Sequence, residues 1–378
     1  MKKFLFIATA ALSLAALASC NKEENKTPVP DPEITNESEI GEVPFTGGTV
    51  TYEFESNKAW SVTKYGADLT SSENYEVEIS PISGEAGKNA INLTFPANKT
   101  ADAIEFSFTI TLQREEGEAR PDDNPYTKEV KVTVAAPSVT DAAGNIYKVA
   151  YLKDGNYWMA ENLRYIPDGQ TVSDGTVKDA SIWYPYTIED KEAKVLKDEA
   201  SIKKLGLLYS PALALGVSEI NESNYNQLEK AQGLCPEGWH VPSRTELVGL
   251  CAATTKGDGE TAAPAVNKDA VFYDAELDNA TIAKANEAGF NFTFSGFTNK
   301  GVYSALVIDD TVCNVEEYYG NPRMSCYLGS TGYKSATSVQ TFAMFSTFTK
   351  TLPYGKLSAG YNNLTNGVAV RCVMNSEK

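Results

Sequence analysis

The residue types able to do chemistry are few, and most of them gather late in the chain. His240 is the only histidine among 378 residues, and it lies in Cys235-Pro236-Glu237-Gly238-Trp239-His240-Val241-Pro242-Ser243, near both a thiol and a hydroxyl. A nucleophilic triad needs such a base within reach of Ser or Cys, with a carboxylate to orient it. Ser243 and Glu246, however, have the spacing of a helix capping box, in which the serine oxygen accepts a first-turn amide and the carboxylate reaches back. An imidazole in this setting can also donate to a backbone carbonyl while its ring packs beside Trp239, and that structural role is the preferred one. No G-x-S-x-G elbow, phosphate loop or dinucleotide fingerprint occurs. The expectation is a non-enzymatic protein with no catalytic residue, no metal and no cofactor.

Carboxylates and aromatic rings leave two other chemistries open. Two acids converging from distant parts of a fold can hydrolyse a glycosidic bond, so a carboxylate-dependent polysaccharide enzyme is the alternative. Glu316-Glu317 and Asp309-Asp310 read more simply as solvated loop acids, and Asp309-Asp310 alone is a weak calcium signal. Tyr184, Tyr186, Tyr303, Tyr318, Tyr319, Tyr333 and Tyr361 fall in expected loops with Gly and Asn. Aromatic faces beside amides bind sugars or protein partners, and tyrosine also fills loops by packing. Tyr303, Tyr318, Tyr319 and Tyr333 are the candidate ligand-binding aromatics.

The start of the chain supplies an address. Lys2 and Lys3 precede an apolar run from Phe4 to Leu17, too short to span a bilayer and typical of an export signal. Leu17-Ala18-Ser19-Cys20 resembles the bacterial lipobox, which implies a signal peptide over 1–19, lipidation of Cys20 and membrane attachment through that lipid. Lys22-Glu23-Glu24 resembles the acidic sorting signal of surface-exposed Bacteroidetes lipoproteins, implying an outer-membrane lipoprotein facing outward. Residues 20–40 carry Pro28, Pro30 and Pro32 among polar residues and read as a flexible tether. With 33 basic and 50 acidic residues the net charge is −17, and no basic cluster exists, which argues against nucleic-acid binding.

Five further cysteines follow Cys20, all in the C-terminal half: Cys235, Cys251, Cys313, Cys326 and Cys372. In an exported protein, disulfides are expected and an odd count leaves a thiol over. Zinc is the weaker alternative, because no C-x-x-C pair occurs and one histidine cannot complete the usual ligand sets. The expected pairs are Cys235 with Cys372 and, second, Cys313 with Cys326, leaving Cys251 buried on a helix with Leu247 and Leu250. Spacing alone does not fix the connectivity.

These residues need a frame, and two regions with different periodicities supply it. Over 41–136 apolar residues alternate strictly: Val50, Tyr52 and Phe54; Ile91, Leu93 and Phe95; Ile104, Phe106, Phe108, Ile110 and Leu112; Val130, Val132 and Val134. Six or seven such strands separated by turn residues predict an all-β immunoglobulin-like sandwich. Phe45-Thr46-Gly47-Gly48-Thr49, Ser56-Asn57-Lys58-Ala59-Trp60, Ile82-Ser83-Gly84 and Pro96-Ala97-Asn98-Lys99 resemble the BACON domain, a carbohydrate-associated module, with an unusually long insertion from Glu115 to Tyr126. Its members often act as spacers. Trp60 is either an exposed sugar platform or core, and its alternation with Val62 favours core.

From Ala135-Ala136-Pro137, a candidate hinge, the composition turns rich in Tyr, Gly and Asn. Strands are expected at Tyr147–Tyr151, Asn156–Met159 and Leu207–Ser210. Helices are expected over about Glu189–Leu205, Tyr225–Gln232, from Ser243, and Asp274–Ala288. Gly144-Asn145-Ile146-Tyr147, Tyr157-Trp158-Met159-Ala160-Glu161-Asn162-Leu163, Gly206-Leu207-Leu208-Tyr209, Cys235 through Ser243 and Val368-Ala369-Val370-Arg371-Cys372-Val373 resemble the Fibrobacter succinogenes major paralogous domain, placed at 137–378. The resemblance implies an α+β C-type-lectin-like or formylglycine-enzyme-like fold, in which Trp158, Glu161, Asn162, Trp239, His240 and Arg371 are structural. Copper chemistry of that enzyme group does not carry over, because Cys326 lacks a closely spaced partner. The chain as a whole reads as a surface lipoprotein for adhesion or for capture of a glycan or surface protein, with a fimbria-like assembly as one setting. A purely structural envelope role is the remaining alternative.

Overall fold

The computed structural model describes residues 29–68, 75–114, 126–152, 154–177, 179–249, 289–304, 324–349 and 352–375. The period-two segments of the N-terminal half are strands: β1 (Ile34–Thr35), β2 (Gly48–Ser56), β3 (Trp60–Asp68), β4 (Glu78–Ser80), β5 (Ser83–Gly84), β6 (Gly87–Phe95), β7 (Ile104–Leu112) and β8 (Thr127–Val134). They form two antiparallel sheets, ordered β1-β2-β6-β4 and β5-β3-β7-β8. Tyr52 lies opposite Ile91, and Phe106 opposite Val132. A slip of one residue would turn either apolar set to solvent. The inward rows close on each other, with Tyr52 edge-on to Phe108 at 5.8 Å and Phe95 to Phe106 at 5.4 Å. Each such ring contributes about 1.5–3 kcal/mol by leaving water.

Trp60 belongs to this core. It is 1% exposed, meets Phe54 edge-on at 5.1 Å, and lies so close to Gly84 that a Cβ there would come within 2.7 Å of its indole nitrogen. A glycine at that position is what admits the ring, and no indole face is left for a sugar.

The chain leaves the sandwich along a fixed path. Asn98, fully buried, donates from Nδ2 to Ala135 O at 2.9 Å, and Val149 N donates to Pro137 O at 3.1 Å. The residues expected as a hinge are thus hydrogen-bonded to both halves. Beyond them lie β9 (Ser138–Thr140), β10 (Ile146–Tyr151), β11 (Tyr157–Met159), β12 (Ile182–Trp183), β13 (Tyr186–Glu189), β14 (Glu192–Val195), α1 (Glu199–Leu205), β15 (Leu208–Tyr209) and α2 (Pro211–Ala214). Then come β16 (Trp239–His240), α3 (Arg244–Gly249), β17 (Thr298–Asn299), β18 (Val302–Tyr303), β19 (Met324–Lys334), β20 (Val339–Thr349), β21 (Leu352–Asn363) and β22 (Val373–Met374). Strands dominate this half as well, and its described helices are short.

The last strand lies between β16 and β11 in a sheet ordered β16-β22-β11-β10-β9. It joins the Trp239-His240 turn to the Tyr157–Met159 strand, so three of the sequence motifs meet there.

Two helix expectations are corrected. Residues 186–195 form a hairpin, turned by Asp190 and Lys191 at φ of 51° and 67°, the left-handed pair that suits the twist of adjoining strands. Tyr186 and Ile188 alternate inward there, and the Lys and Glu residues that read as helical occupy the outer face and the turn. The helix starts only at Glu199, where Asp198 Oδ1 accepts Ser201 N at 2.9 Å as its N-cap. The expected Tyr225–Gln232 helix is a single 3₁₀ turn over Tyr225–Gln227. The expected Asp274–Ala288 helix lies outside the described residues, as do Leu250 and Cys251; Leu247 is buried.

Candidate functional site

The Cys235–Glu246 stretch is organised around one carboxylate. Gly238, at φ 80°, turns the chain, so that β16 presents Trp239 and His240 inward, both 4% exposed. Glu246 returns from the first turn of α3. Ser243 N and Oγ each donate to Glu246 Oε2 at 2.8 Å, and Glu246 N donates to Ser243 Oγ at 3.3 Å, completing the expected capping box. Lys230 Nζ reaches Glu246 Oε1 at 2.7 Å. Burial pushes this carboxyl up, but hydrogen bonds from His240, Lys230 and Ser243 outweigh it and hold the group down at about 2.

His240 is enclosed by the same arrangement. Its Nε2 lies 3.1 Å from both Glu246 oxygens and its Nδ1 2.6 Å from Asn375 Oδ1. A triad puts the hydroxyl on one ring nitrogen and the carboxylate on the other. Here the hydroxyl of Ser243 is on the carboxylate, and an amide takes the second nitrogen. The imidazole therefore has no free nitrogen with which to activate a nucleophile.

The cysteines serve the framework too. Cys235 and Cys372 are joined by a disulfide with Cα atoms 5.8 Å apart and 137 residues of separation. It ties the start of the Trp239-His240 turn to the last strand. Cys326 is a free thiol, fully buried, so the expected Cys313–Cys326 pair is not formed; Cys313 lies outside the described residues. The reason is location: Cys326 sits inside the core on β19, opposite Phe345 of β20. Burial pushes its thiol well above the usual range, which keeps it a neutral, inert core residue.

A second buried polar centre sits at Arg371, 1% exposed. Its Nε donates to Asn162 Oδ1 at 2.7 Å, one Nη donates to Asn291 O at 2.5 Å and the other to Phe290 O. Its planar face lies 4.3 Å from the Phe290 ring and 5.3 Å from that of Tyr327. Asn162 Nδ2 donates onward to Leu205 O at 2.8 Å and Thr293 Oγ1 at 3.0 Å. Burial holds this guanidinium below its ordinary value. With carbonyls and an amide as its acceptors, it is a tie between chain segments and presents no anion pocket. Trp158, fully buried, donates from its indole to Asp154 Oδ2 at 2.8 Å, and Glu161 Oε2 accepts Lys148 N at 3.1 Å. Sequence reasoning missed the Phe290–Phe294 acceptor segment. The available signal was the alternation of Phe290, Phe292 and Phe294, all buried.

The candidate aromatics among the described residues, Tyr303 and Tyr333, lie on strands β18 and β19 rather than in the expected loops, and each packs against another tyrosine. Tyr303 is half-buried against Tyr186 at 4.8 Å, fits against Gly175, and donates to Ser173 O at 3.2 Å. Tyr186 is fully buried and donates to Phe297 O at 3.1 Å. Tyr333 stacks on Tyr361 with centroids 4.1 Å apart, and Tyr184 lies 5.8 Å beneath Lys197 Nζ. Tyr318 and Tyr319 lie outside the described residues, as do Asp309, Asp310, Glu316 and Glu317. Among the described residues no group of three His, Cys, Asp or Glu side chains is placed to hold a metal ion.

Comparison with known proteins gives one informative match. No curated protein matches the chain. Among solved structures, an ASH/PapD-like domain of human CEP192 is similar at 14% identity, over 35% of this chain and 97% of that one, with a TM-score of 0.21. The Bacteroides ovatus GH5 xyloglucanase is similar at 15% identity, over 49% of this chain and 34% of that one, with a TM-score of 0.21. The MSP-domain protein SSP-19 of Caenorhabditis elegans is similar at 18% identity, over 25% and 92%, with a TM-score of 0.18. Likenesses this loose carry no argument about function. The Fibrobacter succinogenes major domain model matches residues 154–374, more than half of the chain and the whole span from the Trp158 motif to the last strand. The chain belongs to the Fibrobacter succinogenes major domain family.

Proposed function

We propose that this protein is a cell-surface lipoprotein that binds a ligand, a glycan or another surface protein, without turning it over. Cys20 carries the lipid, and the tether is the stretch from there to β1, because Ile34 and Thr35, expected in the tether, pair with Ser56 and Glu55 of β2 and Ile34 enters the sandwich core. The BACON-like sandwich is the spacer, and the lectin-like C-terminal half, on an outer-membrane or fimbria-associated scaffold, presents the ligand surface. The observation that supports this most is His240: the chain's one imidazole has both nitrogens engaged, by Asn375 and Glu246. The disulfide, the inert Cys326 and the carbonyl-bound Arg371 likewise spend reactive side chains on the frame.

The anchor is tested by mass spectrometry of the mature protein, which should show acylation at Cys20 and none in Cys20→Ser. Protease shaving of intact cells should remove it. An unlipidated secreted form would sink the anchoring half of the proposal. Ligand capture is tested with the mature chain on glycan and protein arrays, where selective binding is the expected result.

A further inference from the structure

We propose that the cleft where the sandwich meets the C-terminal half binds one neutral, polyhydroxylated ring, the size of a single sugar residue. The cleft encloses about 220 Å³, below the roughly 300–1,000 Å³ of sites for larger ligands. Both halves build it. Thr46 and Ala97 come from sandwich loops, the former in a turn closed by Gly47 N donating to Pro44 O at 2.9 Å. Asn156 and Tyr157 come from the β10–β11 hairpin, and Met374 and Asn375 from the end of β22.

The walls are already fixed. Tyr157 Oη donates to Asn98 O at 2.9 Å, and its ring meets Phe45 edge-on at 5.3 Å. Asn156 Nδ2 donates to Asp154 Oδ2 at 3.0 Å, and Asn375 Oδ1 is held 2.6 Å from His240. A cleft organised in advance loses little entropy when it binds. Among the described residues, the Asn375 amide nitrogen, Asn156 Oδ1 and the Thr46 hydroxyl remain unengaged. They supply a donor, an acceptor and a group that is either.

Charge selects the ligand class. Among the described residues no lining side chain is charged, in a protein of net charge −17. A phosphate, carboxylate or amine would lose its hydration here without gaining a counter-charge. A neutral ring can place hydroxyls on the three polar groups and its C–H face on Tyr157, Ala97 and Met374. The inference gives a site to the ligand-binding reading above and rests on it.

Saturation-transfer NMR on the mature chain tests it, using methyl glycosides of glucose, galactose, mannose and N-acetylglucosamine. Methyl glucuronide and glucosamine serve as charged controls. At least one neutral glycoside should bind with a Kd of about 1 mM, as expected for about a dozen heavy atoms in an open cleft. Thr46→Trp, from an exposed turn, should fill the cleft and weaken binding about tenfold or more. Ala97→Leu obstructs from a different loop and should do the same, and thermal unfolding checks that both variants fold. A trisaccharide ending in the same ring, bound at least as well, would mark a chain terminus as the natural source, whereas loss of binding would point to the free sugar. Binding unchanged in both folded variants would overturn the site while leaving ligand capture intact. Binding only of charged sugars, or of no monosaccharide by a chain that captures longer glycans, would overturn the ligand class.

Discussion

Arg371 Nε donates to Asn162 Oδ1 at 2.7 Å across 209 residues of sequence, inside a core that excludes water from both. The amide does two tasks at once, because its nitrogen also satisfies Leu205 O at 2.8 Å. A Cβ on Gly206 would come within 2.4 Å of the Asn162 Cβ, so the helix ending at Leu205 is pressed against this residue. Asn162→Ala should cost about 3 kcal/mol, since it orphans a buried charged donor and a buried carbonyl together. Arg371→Lys should cost at least as much, because an ammonium cannot reproduce the planar fork or its stacking on Phe290. Urea unfolding measures both; a loss below about 1 kcal/mol would show the pair to be incidental.

Reduction should loosen the same region. The Cys235–Cys372 bond closes a loop of 137 residues, and removing a cross-link of that length costs about 2–5 kcal/mol. Cys235→Ala with Cys372→Ala should therefore melt well below the wild type without reductant and match it with reductant. Equal melting in both conditions would contradict the assignment.

Acid should weaken the His240 turn through Glu246. Its carboxyl is held down at about 2, against an ordinary 4.5. A depressed folded-state value means the stabilisation is complete above about 4.5 and is lost as pH falls toward about 2. The loss should be on the order of 1–2 kcal/mol, discounted because Lys230 approaches from the solvent side. Glu246→Gln should be less stable than the wild type at pH 6 and should flatten the decline between pH 4.5 and 2. Parallel curves for the two proteins would remove Glu246 from the account.

Much of this frame is legible in the sequence where one residue's type implies its neighbour's position. The alternation of Ile104, Phe106, Phe108, Ile110 and Leu112 specifies a two-faced strand, and those five residues are buried in β7. Ser243 and Glu246 announce a helix start because both partners of the reciprocal bond are three residues apart. Legibility fails where the partner is distant backbone. Arg371 is read as structural from a motif, but its acceptors are the carbonyls of Phe290 and Asn291, and a carbonyl has no sequence signature. The 186–195 hairpin was hidden because Lys and Glu suit an exposed strand face as well as a helix, and its turn uses Asp190-Lys191 without a glycine. Tyr303 and Tyr333 read as loop residues from their Gly and Asn neighbours, but they lie on β18 and β19, and their packing partners, Tyr186 and Tyr361, come from distant segments that local composition does not reveal.

Cys326 should be silent toward alkylating reagents in the native protein. Its thiol is fully buried, and burial pushes its proton affinity up, so neither access nor thiolate is supplied. Peptide mapping after iodoacetamide should find Cys326 unmodified in the native state and modified after urea. Modification at the native rate of a free thiol would mean that β19 opens.

The central claim is binding without chemistry, and one measurement meets it most directly. Glycans captured by the mature chain are held with it overnight, eluted and weighed by mass spectrometry against the input. The account predicts recovery of the same glycans at unchanged mass, with His240→Ala altering stability but not the recovered species. Shortened or modified glycans, abolished by one Glu or Asp substitution, would contradict it.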